Sequence, residues 1–116
     1  MNTFDMEIAK DLIRRGYEFY GKYPIKVLPI QKLLDIYLPE EVKRKGIGFL
    51  NIDCEGLDRE IILGLESSFY RPYVIAVESH GFDPLNAIDN EICQSLGRSG
   101  YCLAAYTGST LIFKKL

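Results

Sequence analysis

The sequence predicts an α/β domain built on a mostly parallel sheet, with helices on both faces and an antiparallel hairpin at its end. Two apolar runs, at 47–53 and 73–78, are nearly continuous, which is typical of parallel strands covered on both faces. Helical segments alternate with these runs, and this alternation favours parallel pairing through right-handed crossovers. The last two runs, at 101–106 and 110–115, flank a short polar turn, which favours a hairpin.

The first third of the chain is predicted to be helical with one short strand. In the N-terminal helical segment, 1–24, Asp5 suits the N-cap and apolar residues follow at helical spacing. A short strand is expected at 25–28 and a second helix at 30–37. The charged stretch 40–46 is predicted to be a loop.

The middle of the chain is predicted to contain the two buried strands and the helices that connect them. Gly56 permits a sharp exit from the strand at 47–53, and the apolar spacing at 57–65 predicts a helix with one apolar face. Pro72 precedes the second strand, where a missing N–H is tolerated. A further helix is expected over 85–96, before two glycines end it.

Composition limits the classes of protein to which the chain can belong. Its 116 residues suggest one domain, 1–116, with 47% hydrophobic and 26% charged residues, as in soluble globular proteins. The formal net charge of −2 argues against a nucleic-acid binder, which would show a basic face. No signal-peptide pattern and no run long enough for a bilayer are visible, which predicts a cytoplasmic chain without membrane contact. The three cysteines show no paired spacing, so we expect reduced thiols.

Acidic side chains follow both buried strands at the point where each strand ends. Asp53 and Glu55 come at the end of the first strand, and Glu78 and His80 come at the end of the second. Because ligands bind at the carboxyl ends of strands in open α/β sheets, we expect these four residues to surround a shared crevice and to be catalytic.

Simpler roles for the same residues are also open. Asp53 could cap the following helix, and Glu55 could pair with Arg59 one helical turn away. His80 is the only histidine, and a lone histidine is often a loop or capping residue. The four site residues could also form a set of hard-metal ligands, but no ligand spacing demands a metal. Cys54 lies between two carboxylates, which should raise its thiol pKa and make it a poor nucleophile.

Two spaced motifs resemble those of the FkbM family of methyltransferases. Residues 50–64 resemble the family pattern hydrophobic-x-I-D-V-E-G-x-E/D-x-E-hydrophobic-L-x-G. The matching positions are Ile52, Asp53, Glu55, Gly56, Asp58, Glu60, Ile61 and Gly64. Residues 71–78 resemble the next block, R-P-x-hydrophobic-x-hydrophobic-hydrophobic-E, and 28–35 resemble the lead-in more loosely. The resemblance covers residues 25–80 well, and it is specific because the motifs occur in the right order.

The resemblance implies a Rossmann-like methyltransferase sheet and an S-adenosylmethionine-dependent O-methyltransferase. The acceptor would be a hydroxyl group of a sugar or other small metabolite. Asp53 and Glu55 would face the acceptor pocket, with Glu78 and His80 on the neighbouring strand end. A carboxylate there can take the proton of a hydroxyl, or hold a divalent cation that acidifies it.

The chain departs from the family in the part that cradles the cofactor. Family members carry a first strand, a Gly-rich turn and an acidic residue after the second strand, and the chain resembles only the C-terminal half of such an enzyme. The only G-x-G spacing, at 46–48, precedes a strand instead of following one. We therefore expect weak or no binding of S-adenosylmethionine by this chain alone, and weak or no activity.

A half-sheet of this kind would leave the strand at 47–53 without a partner on one side. Such an edge invites pairing, so we expect a homo-oligomer, a partner chain, or shielding by residues 4–28. Two other functions remain open at this point. One is a non-catalytic remnant or interaction module that self-associates or docks on a partner, and the other is a small metal-dependent enzyme that uses the carboxylates.

Overall fold

A computed structural model describes residues 3–116 as an α/β fold around one four-stranded sheet. The strands are β1 (Phe49–Ile52), β2 (Val74–Glu78), β3 (Tyr101–Tyr106) and β4 (Thr110–Lys115), in the spatial order β1-β2-β4-β3. Strands β1 and β2 are parallel, whereas β4 is antiparallel to both of its neighbours. The predicted C-terminal hairpin is confirmed, and the parallel part of the sheet is a single pair.

Five α-helices and one 3₁₀ helix surround the strands. They are α1 (Met6–Arg14), α2 (Ile30–Tyr37), α3 (Glu40–Lys45), α4 (Asp58–Glu66), the 3₁₀ helix Pro84–Asp89 and α5 (Glu91–Arg98). No helix among residues 3–116 has both the length and the apolar character needed to cross a membrane.

The core lies between one face of the sheet and helices α4 and α5. Directly paired strand residues share a face, and Ile52, Val77 and Leu111 form one such row. Apolar side chains of the two helices complete this cluster. Its most deeply buried members are Ile62, Leu65, Ile75, Val77, Leu96, Leu111 and Phe113. The parallel pair and the antiparallel hairpin are therefore held together by a single core.

The opposite face of the sheet, which we call the outer face, is only partly covered by residues 3–116: Ala76 is 5% exposed and Ile112 is half-buried. It consists of Phe49, Asn51, Val74, Ala76, Cys102, Ala105, Ile112 and Lys114. Phe49 is 60% exposed, Cys102 and Ala105 are exposed, and Val74 is half-buried. The helices that join the main core thus lie on one face, although the sequence predicts helices on both.

Helix α1 begins as predicted but is shorter. The Asp5 carboxylate caps it by accepting hydrogen bonds from the backbone N–H groups of Glu7 and Ile8. The helix ends at Arg14 because Gly16 takes a φ of +91°, which a right-handed helix does not allow. Residues 15–29 form no helix or strand, so the predicted strand at 25–28 is wrong.

Two further segments differ from the prediction for local reasons. The expected loop at 40–46 contains α3, because acidic residues occupy its first turn and basic residues its last, which complements the helix dipole. The expected helix over 85–96 is divided at Asn90. The side chain of Asn90 accepts from the N–H groups of Ile92 and Cys93 and so starts α5 anew.

Candidate active site at the carboxyl edge

The parallel strands β1 and β2 bring two acidic segments to the same edge of the sheet. Ile52 is paired with Val77, so Asp53 and Glu78 follow side by side at the ends of their strands. This placement follows from the parallel register, in which carboxyl ends meet at one edge. A ligand-binding site is therefore expected at this carboxyl edge of the sheet.

Glu78 and His80 form a direct pair at this edge. The Nε2 atom of His80 lies 3.2 Å from Oε2 of Glu78. The Glu78 side chain is 26% exposed and the His80 side chain 80% exposed, so the imidazole can be reached from solvent. The pair lines an open cavity of about 230 Å³. The other lining residues are Gly56, Asp58, Arg59, Ser79 and Ile92.

Asp53 and Glu55 line a different cavity. Its volume is about 350 Å³, and its other lining residues are Thr3, Phe4 and Cys54. The four residues predicted as one site are therefore divided between two cavities, one lined by Asp53 and Glu55 and the other by Glu78 and His80. The shared edge is present, but neither of these two cavities is lined by all four residues.

The turn that separates the two cavities has an unusual backbone. Glu55 adopts a φ of +50° and is the only non-glycine residue with positive φ among residues 3–116. Gly56 follows with a φ of +102°. Two successive positive φ values turn the chain sharply from β1 into α4, which Gly56 accommodates at no steric cost.

The buried carboxylate of Asp58 stabilises this turn by accepting hydrogen bonds from its backbone, a role that the sequence did not reveal. Its Oδ1 accepts from the N–H of Cys54 at 3.0 Å and its Oδ2 from the N–H of Gly56 at 3.2 Å. Asp58 is only 8% exposed, so it does not lie on the solvated face of the helix. One feature of the sequence could have indicated this role: Asp58 is a carboxylate at the first position of a helix, directly after Gly56. Backbone N–H groups near the start of a helix lack partners, and a carboxylate placed there can accept hydrogen bonds from them.

Arg59 is also placed differently from the prediction. Its guanidinium pairs with the carboxylate of Glu91 and lies 3.8 Å from that of Glu60, so the predicted pair with Glu55 is not formed. The Arg59 hydrogen bond lowers the pKa of the Glu91 carboxyl group. This ion pair joins α4 to α5 at the rim of the cavity that contains His80.

The cysteine next to the site has a weakly acidic thiol. Burial, followed by the charge of Asp58, raises the pKa of Cys54, in the direction that the sequence predicts. Burial likewise raises the pKa of Cys93. Neither thiol has an environment that favours the thiolate, so neither is suited to be a nucleophile.

The acidic side chains at the edge are not clustered as metal ligands within residues 3–116. Within residues 3–116, no three His, Cys, Asp or Glu side chains are grouped so that they could hold one metal ion. The glycines at 46 and 48 lie before β1, and Gly56 is the only glycine in the turn that follows it. The turn after β1 is therefore not glycine-rich.

One comparison with known proteins identifies a family. A family model described as "Methyltransferase FkbM domain" matches residues 2–103. The match extends on both sides of the 25–80 region in which the motifs were recognised. No curated protein and no solved structure matches the chain.

Proposed function

The chain belongs to the FkbM methyltransferase family, and on that premise we propose that it provides the acceptor side of an S-adenosylmethionine-dependent O-methylation. The observation that carries this proposal is the Glu78–His80 pair at the carboxyl edge of the parallel strands. The acceptor would be a hydroxyl group of a sugar or similar metabolite. The family's donor supplies an electrophilic methyl group, and the residues described here act on the acceptor.

His80 is suited to take the proton of a hydroxyl group. The Glu78 carboxylate lies 3.2 Å from Nε2 of His80 and favours a proton on that nitrogen, so the neutral imidazole keeps a free electron pair on Nδ1. A hydroxyl bound against Nδ1 can transfer its proton there, and the carboxylate stabilises the imidazolium that forms. The exposed imidazole then returns the proton to water.

Asp53 and Glu55 support the choice of a polyhydroxylated acceptor. Their carboxylates line the neighbouring cavity, where they can accept hydrogen bonds from further hydroxyl groups of the same molecule. Orienting a substrate in this way contributes to catalysis, because it holds the reacting oxygen in line. We therefore assign proton transfer to the Glu78–His80 pair and positioning to the Asp53–Glu55 pair.

His80 offers a direct test because it is the only histidine of the chain. In nitrogen NMR spectra, its neutral imidazole is expected to be the Nε2–H tautomer, and Glu78→Gln is expected to weaken that preference. A panel of sugars should shift the Nδ1 resonance of the wild-type protein. The matched variant Glu60→Gln, on the first turn of α4, should leave both results unchanged. If no sugar at millimolar concentration perturbs His80, the proposal is wrong.

Cofactor binding is tested separately by calorimetric titration with S-adenosylmethionine. Because no Gly-rich turn follows β1, we expect binding by this chain alone to be no tighter than millimolar. Micromolar binding would show that the chain holds the donor unaided, and our assignment of this chain to the acceptor side alone would be wrong.

A second candidate function is a non-catalytic interaction module. It is favoured by the exposed part of the outer face of the sheet, where Phe49 is 60% exposed. Self-association without any response of His80 to sugars or to the methyl donor would favour the module over the enzyme.

A further inference from the structure

Two large apolar side chains that follow β2 are almost fully exposed. Leu85 is 92% exposed and Ile88 is 82% exposed, and both belong to the 3₁₀ helix Pro84–Asp89. Ala87, which lies between them in the sequence, is half-buried and packs on the main core. The helix thus turns its small apolar side chain to the core and leaves its two large ones in solvent. Large apolar side chains that are exposed together are typical of a binding surface.

The 3₁₀ helix belongs to a segment, residues 81–90, that begins and ends at the candidate active site. His80 directly precedes the segment, and Ile92 follows it after a single intervening residue. Both of these residues line the cavity that contains the Glu78–His80 pair. Because its two ends are fixed at this cavity, segment 81–90 lies next to the cavity. The two exposed apolar side chains are therefore neighbours of the proposed catalytic pair.

Segment 81–90 is held on the side of β2 that faces the C-terminal hairpin. The N–H of Ser79 donates to the carbonyl of Ser109, in the turn of the hairpin, at 2.8 Å. The rings of Phe82 and Tyr106 are in edge contact, with their centroids 4.9 Å apart. Strands β4 and β3 lie on this side of β2, whereas β1 lies on the other side. The surroundings of the segment are thus set by the hairpin, and not by whatever pairs with β1.

Hydrogen bonds at both ends of the 3₁₀ helix fix the positions of the two apolar side chains. The Asp83 carboxylate accepts from the N–H of Leu85 at 2.9 Å and also from the side chain of Asn86. The side chain of Gln94, on α5, donates to the carbonyl of Ile88 at 3.0 Å. The apolar surface is therefore formed before any ligand arrives, which reduces the cost of ordering it on binding.

The charges of the segment indicate what kind of molecule this surface fits. Segment 81–90 contains Asp83 and Asp89 but no lysine or arginine. An anionic membrane would be repelled, because such membranes attract clusters of basic residues. The adjoining cavity offers the carboxylate and imidazole of the Glu78–His80 pair, which suit a hydroxyl group. An apolar surface beside a polar cavity fits a molecule that has an apolar part and a hydroxyl-bearing part.

On the basis of the function proposed above, we propose that Leu85 and Ile88 bind an uncharged apolar group of the acceptor. A hydroxyl group on the polar part of the same molecule then reaches His80. The acceptor is therefore an amphipathic glycoside, with an alkyl chain or an apolar aglycone, and not a free sugar. Burial of the apolar group supplies affinity, and the hydroxyl contacts in the cavity supply orientation.

The test compares ligands that share a sugar and differ only in their apolar group. Methyl and octyl β-glycosides of glucose, galactose and mannose are titrated into the full chain, the octyl compounds below the concentration at which they form micelles. Nitrogen NMR of His80 Nδ1 measures the binding of each. For a sugar that binds, the octyl glycoside is expected to bind at least about tenfold more tightly, as burial of about two methylene groups would cause. It should also shift the methyl resonances of Leu85 and Ile88.

The double variant Leu85→Ser/Ile88→Ser should bind the methyl glycoside as the wild type does and should lose the octyl advantage. It should fold, because both side chains are exposed. Phe69→Ser is the matched control, since Phe69 is also 92% exposed but precedes β2 and so lies toward the opposite edge of the sheet. This control should keep the octyl advantage.

The possible failures of this proposal and of the proposed function differ. If His80 responds equally to the methyl and octyl glycosides, or if the double variant keeps the octyl advantage, the apolar subsite is wrong and the proposed function stands. If His80 responds to no glycoside, the proposed function is wrong and the subsite loses its acceptor. Dimer formation or binding to neutral lipid vesicles that the double variant abolishes would assign the surface to a second copy or to a membrane, and would overturn the proposal.

Discussion

At the residue scale, Asp58 is the side chain on which the geometry of the carboxyl edge most depends. Both of its oxygens accept from backbone N–H groups in the turn at 53–56, and the residue is nearly buried. Removing a buried acceptor leaves its donors unpaired, which costs more than the hydrogen bond itself contributes. The turn that positions Asp53 and Glu55 therefore depends on a residue that is not in contact with the proposed acceptor.

We expect Asp58→Ala to lower the free energy of unfolding by roughly 2–3 kcal/mol, since two hydrogen bonds to a charged acceptor are lost. Urea denaturation followed by circular dichroism measures the change. Glu60→Ala is the matched control on the same turn of α4, where the carboxylate is more than half exposed. Equal losses in the two variants would show that Asp58 has no special role.

The residue types at the edge were predictable from the sequence, but their partners were not. Asp53, Glu55, Glu78 and His80 could be placed at strand ends because apolar runs stop there. Which carboxylate contacts which group depends on backbone angles of the intervening turn. The positive φ of Glu55 is an example, because no sequence rule places a non-glycine residue there.

At the element scale, α4 and α5 are joined at their C-terminal ends by a small polar network. The Glu66 carboxylate accepts from Arg98 Nε at 2.9 Å and from Ser95 Oγ at 2.8 Å. These hydrogen bonds, that of Arg98 foremost, lower the pKa of Glu66 below the ordinary value of 4.5. The two helices that cover the core are thus coupled by a group that titrates in acid.

A lowered pKa in the folded state gives this network a defined pH dependence. Its contribution to stability is fully present above the unfolded pKa near 4.5 and is lost as the pH falls through the lower folded value. We expect Glu66→Gln to be less stable than wild type at about pH 6 and to converge with it in acid, once the pH has fallen below the lowered pKa of Glu66. Urea unfolding over a series of pH values from 6 into this acid range measures the difference. A difference that is constant across this range would contradict the assignment.

Arg71 gives a physical reason for the Arg-Pro pair in the second family-like motif. Its guanidinium donates to the carbonyl oxygens of Leu65, Glu66, Ser68 and Tyr70. These carbonyls lie at the end of α4 and in the segment leading to β2, where helix C-termini leave acceptors unpaired. The motif therefore fixes the connection between the two parallel strands, and the sequence could locate it without revealing this role.

Helix and strand boundaries were predictable where one local signal dominated. Asp5 marks the start of α1, and the near-continuous apolar runs mark β1 and β2. The prediction at 25–28 was wrong because its apolar residues, such as Ile25 and Val27, have no neighbouring strand and remain exposed. A short apolar run becomes a strand only when another strand pairs with it.

At the scale of the whole molecule, the core is concentrated on β2 and β4, and the N-terminal arm, residues 3–29, contributes no buried residue. Ile75, Val77 and Leu111 are fully buried, and Phe113 is 1% exposed. The fold should therefore tolerate loss of the arm. The arm's apolar side chains should stabilise the protein only when something else covers them.

Deletion of residues 1–16 tests whether the fold tolerates loss of this part of the N-terminal arm. In dilute solution, the truncated and full-length chains should differ in unfolding free energy by no more than about 0.5 kcal/mol, as for changes at exposed sites. Urea denaturation of the two chains in dilute solution measures this difference. Loss of cooperative unfolding in the truncated chain at every concentration would mean that α1 belongs to the core of the monomer.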